Sequence, residues 1–278
     1  MRKFLFLFFV FIFVLTPVFF VHAVEPIKIL LVPGHDNEVW GAQYGNIKEA
    51  DMNLSLATKI YDVLKKDKKF KVFITRDKNG YIKEFADYFS TQKDNIILFK
   101  ENAKQKMQSA IFDGNFITKT SVPHLSASKD GAIRLYGINK WANENKIDAV
   151  IHIHFNDYPR QTKWQAGKYK GFAIYMPEEQ MTNSKGSIVL AKNIFTQLRK
   201  KYITSTYEGE KGGLVPDQTL IALGSNGTLN ADVKSILIEY GYIYRFGNNL
   251  KRQAHYKSMA DLTVKGIKNY FTSPQPSP

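Results

Sequence analysis

Cysteine is absent from the 278 residues, so disulfides cannot staple this fold and thiolates cannot hold a metal. Any metal site has to be assembled from His, Asp and Glu. Histidine is scarce too, with six in the chain, and each position is therefore informative. No internal repeat or low-complexity linker divides the chain, and no nucleic-acid-binding motif is present. The net charge of +14 then points away from nucleic acid, toward anionic wall polymers or lipid headgroups, or simply toward a well-solvated Lys-rich surface.

Only one long apolar run occurs, Phe4 to Val21, interrupted by Thr16 and Pro17 and preceded by Met1-Arg2-Lys3. With Val21-His22-Ala23 after it, this is the layout of a signal peptide over residues 1–23, cut after Ala23. A retained N-terminal anchor is the alternative, and only then does a membrane enter. Either way the rest of the chain is expected outside the cytoplasm, in the periplasm or at the cell wall. Residues 24–272 are a length that one α/β domain fills. The Pro/Ser tail at 273–278 is expected to be disordered.

Ile27 to Val32 is a continuous apolar run ended by Pro33-Gly34, as for a strand buried on both faces. Lys48 to Lys66 carries helical spacing and Lys71 to Thr75 a second strand, which together predict a parallel βαβ unit. Further helices are predicted over Asp94 to Ala110, Ala132 to Asn145, Ser187 to Lys201 and about Asn249 to Tyr270, with a polar loop from Asp113 to Lys129. Strands are expected near 27, 71, 149, 172, 220 and 235. The sum is an α/β domain of three layers, a twisted, mostly parallel sheet of about six strands with helices on both faces.

Four places carry side chains suited to chemistry. His35 follows Pro33-Gly34 at the carboxyl end of the first strand, where open α/β sheets place ligands, although a histidine after Pro-Gly also serves as an ordinary turn residue. Glu49 and Asp51 begin the first helix, where the helix dipole favours carboxylates and capping explains them equally well. His152 and His154 lie two apart on a strand, with Asn156 two further, so all three share a face, and a metal satisfies two such imidazoles more readily than a core does. Glu239 ends the apolar run Ser235 to Ile238; it is either a strand-end acid paired with a lysine or a general base beside an activated water.

Taken in order, the motifs are Pro33-Gly34-His35; Gly45 with Glu49, Asn53 and Leu54; Thr75-Arg76; Ala142-Asn143 and Asp148 leading into His154-Phe155-Asn156; Gly171; and Ile238-Glu239 before Gly241-Tyr242-Ile243. This series resembles the catalytic domain of zinc-dependent N-acetylmuramoyl-L-alanine amidases, from about Ile27 to Tyr270. The resemblance implies one Zn²⁺ per chain, ligated by His35, Glu49 and His154, with Glu239 as the catalytic glutamate. It implies peptidoglycan as substrate and cleavage of the amide between N-acetylmuramic acid and L-alanine of the stem peptide.

The chain departs from that pattern in several places. Val32 stands where the family has an acid and Asp36-Asn37 where it has glycines. His152 stands where serine is common, which makes it a residue that supports a ligand or faces substrate, with a swap of ligand from His154 to His152 also open. The arginine expected near Ile138 is missing, and Arg134, one helical turn earlier, is its candidate replacement. Residues 77–131 read as an insertion, either a cover over the zinc that an activator protein removes or an elaboration that shapes specificity. A zinc peptidase acting on wall peptides and a wall-binding protein without catalysis are the competing functional readings.

Overall fold

Six strands make one sheet in a computed structural model that describes residues 25–124 and 127–272. They are β1 (Ile27–Pro33), β2 (Phe70–Ile74), β3 (Ala149–Asn156), β4 (Ala173–Pro177), β5 (Leu214–Asp217) and β6 (Lys234–Tyr242), in the spatial order β2-β1-β3-β6-β4-β5. β2, β1, β3 and β6 run parallel; β4 is antiparallel to β6, and β5 is parallel to β4. The expected α/β class with a mostly parallel sheet is thus present. The signal-peptide reading and the tail reading lie outside the described residues.

Alternation along the strands sorts the core into two layers. Ile29 and Leu31 of β1, with Ile151, Ile153 and Phe155 of β3, pack with α1 (Glu49–Leu64), and further along the same layer lie α5 (Ser184–Leu198) and α6 (Asn249–Thr272). Leu30, Val32 and Val150 face the other way, onto Phe85 of α2 (Lys83–Thr91) and Ile138 and Trp141 of α4 (Lys129–Glu144). Leu30, Leu31, Ile151 and Ile153 are fully buried, each contributing about 1.5–3 kcal/mol relative to exposure. That double burial is why β1 reads as an unbroken apolar run.

Two expectations need correction. The strand placed near 220 lies earlier, at Leu214–Asp217, because the Asp217 carboxylate accepts the amides of Thr219 and Leu220 and turns the chain there. Residues Ile221–Leu223 form a 3₁₀ turn instead. Within 77–131 a helix precedes the expected one: α2 is short and amphipathic, and α3 spans Lys93–Phe112. α3 buries Ile96 against Ile133 and Tyr136 of α4.

After α3 the chain becomes a strap across the β4–β5 end of the sheet. The Ile117 amide donates to Gln180 and the Lys119 amide to Gln218, while both glutamine side chains donate back to the Ile117 carbonyl. The Lys119 ammonium meets Glu178, and His124 Nε2 lies 3.4 Å from Asp217. Val122 packs onto the apolar patch made by Tyr175, Val215 and Leu237.

Candidate active site

Three parallel strands deliver the chemistry-bearing residues at their carboxyl ends, the edge at which open α/β sheets bind ligands. His35 follows β1, His154 lies near the end of β3, and Glu239 sits on β6 directly beside His154. β6 loses register between Glu239 and Tyr242, and Gly241 takes a φ of 142° there. Such a bulge re-aims the side chains at its edge. Glu49, at the first position of α1, closes the set from above.

Glu49 bridges the two imidazoles. Its Oε2 is 3.1 Å from His35 Nε2 and its Oε1 is 2.9 Å from His154 Nδ1. One donor atom from each of His35, Glu49 and His154 falls within 4.8 Å of the others, the spacing of a shared ion. The backbone is shaped to permit this. A Cβ on Gly34 would stand 2.1 Å from the His154 ring, and one on Gly41 would stand 2.4 Å from both Glu49 and His35. His35 itself holds a φ of 59°, which a non-glycine residue rarely adopts and which turns its ring into the cluster.

A buried frame fixes the segments that carry His35 and Glu49. The Arg76 guanidinium, 1 % exposed, donates to the carbonyls of Pro33, Gly34 and Ala50. The Asn53 amide donates to the Gly34 carbonyl and, one helical turn back, to Glu49. Glu49 also accepts the backbone amides of Ala42 and Phe155. Helix capping is therefore only part of what this residue does.

Electrostatics follow from these contacts. Burial raises the proton affinity of Glu49, but the hydrogen bonds from His154 and His35 outweigh it and hold the carboxyl well below its usual range. At His35 burial lowers the pKa, and the Glu49 bond and charge reverse the sign, leaving it raised. At His154 burial wins and the pKa is lowered despite Glu49. Glu239 goes the other way, raised well above the normal value by burial and then by the charges of Glu49 and Glu210, and its Oε2 is buried with no hydrogen-bond partner.

The other candidate residues take distinct places. His152 is 1 % exposed, its Nε2 has no partner, and burial with the neighbouring His154 lowers its pKa to about 3. It lies outside the three-residue cluster. Asn156 donates to Glu210 at 2.6 Å. Arg134 grips the loop after His35, pairing with Asp36 at 2.7 Å and Glu38 at 3.0 Å. Asp36-Asn37, a departure in the sequence, thus gives Arg134 its partner.

Glu210 escapes a reading of the sequence. It sits in a short turn, Glu208–Glu210, yet is 2 % exposed and accepts from Asn156, Tyr175 and Tyr242. Nothing local in the charged run Glu208-Gly209-Glu210-Lys211 separates it from a solvated surface.

Comparison with known proteins agrees with this geometry. The family model described as N-acetylmuramoyl-L-alanine amidase matches residues 29–269. An N-acetylmuramoyl-L-alanine amidase of Clostridium difficile 630 superposes with a TM-score of 0.55 at 18 % identity, covering 91 % of this chain and 100 % of that one. The CwlD amidase of Clostridioides difficile, solved in complex with the GerS lipoprotein, gives 0.57 at 16 %, covering 88 % and 98 %. The catalytic domain of CwlV from Bacillus (Paenibacillus) polymyxa var. colistinus gives 0.55 at 14 %, covering 88 % and 98 %. No curated protein sequence matches the chain. At these identities the structures speak for the fold, and it is the family model, matched across nearly the whole described chain and joined to a His-Glu-His cluster, that makes this chain a member of the N-acetylmuramoyl-L-alanine amidase family, zinc-type metallohydrolases.

Proposed function

We propose that the chain hydrolyses the amide bond between the lactyl group of N-acetylmuramic acid and the first L-alanine of the stem peptide, with one Zn²⁺ held by His35, Glu49 and His154. The observation that carries this reading is the convergence of those three donors beside an unpaired, buried carboxylate oxygen of Glu239. Two imidazoles and a carboxylate suit zinc, and three protein ligands leave a coordination position open. The metal would supply Lewis acidity toward the amide carbonyl and toward water.

The chain's own residues supply the rest. Glu239 takes the proton of the attacking water and delivers it to the leaving amine, a role open to a carboxylate oxygen that has no other hydrogen-bond partner. Glu210, held by Asn156, Tyr175 and Tyr242, adds negative charge that favours the protonated form of Glu239. Arg134 acts through Asp36, fixing the loop that carries His35. Residues 1–23 export the chain to the wall, and 77–131 offers the surface on which an activator would act; no helix among the described residues is long and apolar enough to cross a membrane.

Glu239→Gln is expected to keep one zinc per chain while turnover on purified peptidoglycan falls about 10²–10⁴-fold. Near wild-type hydrolysis by that variant would remove Glu239 from the role. Product analysis should find a new amino terminus on L-alanine. A cut inside the stem peptide would make the chain a wall peptidase instead.

A further inference from the structure

Two of the three tryptophans stand in solvent at the rim of the site. Trp40 is 40 % exposed and Trp164 64 %, whereas Trp141 is buried at 3 %. Both indoles are held rather than loose. Trp40 Nε1 donates to the Asn37 carbonyl, and the Lys48 ammonium lies 3.4 Å from the centre of its ring. Its carbonyl accepts the Ala50 amide in the first turn of α1. The next residue, Gly41, is the one whose missing Cβ makes room for His35 and Glu49. Trp40 therefore adjoins the glycine that borders the cluster.

Trp164 is fixed from a different part of the chain. Its ring packs on Gly45, where a Cβ would lie 2.9 Å away, and the Gly45 amide donates to the Lys163 carbonyl. Arg160 fastens the same loop: it pairs with Asp157, donates to the carbonyls of Gln43 and Gln165, and stacks on Tyr44 and Tyr244. The two indoles thus flank the small antiparallel ladder of Gln43–Tyr44 with Ile47–Lys48, Trp40 at its open end and Trp164 at its turn.

We propose that Trp40 and Trp164 form a saccharide-binding platform that seats the glycan strand of peptidoglycan beside the metal ligands. The inference rests on the amidase reading above. Pyranose rings present flat faces of C–H groups, which an indole held in one attitude covers at little cost in side-chain entropy. The reacting amide hangs from the lactyl arm of a sugar, so a platform for sugars that begins beside Gly41 fixes the end of the substrate that does not leave. Lys48 and Lys163 stand over the two rings, 3.4 Å and 5.5 Å from their centres, and the indole surface left exposed is flat and held in place, as the face of a pyranose requires.

The test uses the zinc-loaded full chain and peptide-free glycan strands, oligomers of N-acetylglucosamine and N-acetylmuramic acid, followed by isothermal titration calorimetry, which needs no indole reporter. Trp164→Ala is the decisive arm, since it lies away from the ligand-bearing loop. It is expected to raise Kd about tenfold with zinc content and Tm unchanged, Trp164→Phe should recover most of the affinity, and the pair Trp40→Ala with Trp164→Ala should abolish binding. Unchanged Kd in the double variant overturns the platform, as does weakened binding of a glycan-free stem peptide with glycan binding intact. Wild-type binding of glycan without release of an L-alanine terminus would leave the platform standing and remove the amidase reading.

Discussion

His152 and His154 are one strand repeat apart and face the same side of β3, yet only His154 reaches Glu49. Physics read from the sequence placed both imidazoles on one face and could go no further, because which of them meets a carboxylate depends on where α1 starts above the sheet. Replacing His152 with Leu removes a nitrogen that has no partner, so zinc content is expected to persist and stability to change by no more than about 1 kcal/mol. His154→Ala should lose the metal. Metal analysis of the two variants checks this, and zinc loss confined to His152→Leu would transfer the ligand role. Glu210 marks the opposite limit: its partners come from three strands, 54, 35 and 32 residues away, and no local pattern encodes such a meeting.

At the scale of elements, β1 and β6 were legible because burial on both faces leaves continuous apolar runs, and β3 because its apolar residues alternate with two histidines. The strap and α2 were not. The strap is held by side chains from the far end of the sheet rather than by any repeat of its own, and α2 is only nine residues long. Glu178 is the strap's main anchor. Burial raises its proton affinity, but Lys119, Gln218 and Gln180 outweigh that and bring its pKa down to about 2. A carboxyl depressed on folding contributes stability above its unfolded pKa, about 4.5, and loses it as pH falls toward 2. Since Lys119 is half exposed, the contribution is set at about 1–2 kcal/mol. Limited proteolysis near residue 119 is expected to accelerate as pH falls through that window, and Glu178→Gln should cut readily at pH 7 and show a flat profile below it. A wild-type rate independent of pH between 5 and 3 would refute the anchor.

On the scale of the whole molecule, the charge of +14 is a surface property that the fold leaves unexplained. If it serves attraction to anionic wall polymers, association with isolated walls must weaken with salt, because the screening length shrinks from about 10 Å at 0.1 M to about 3 Å at 1 M. Cosedimentation of Glu239→Gln, which leaves the wall undigested, is expected to fall severalfold across that range. Salt-independent binding would assign the lysines to solvation alone.

Arg76 has a consequence for how the metal arrives. One buried guanidinium holds the end of β1 and the first turn of α1, and Asn53 adds a second tie between the same segments. His35 and Glu49 are thereby ordered when the chain folds, not when the ion binds. For the zinc proposed above, capture would then meet a finished receptor, with ligand deprotonation and ion desolvation rather than a slow rearrangement of the polypeptide setting its rate.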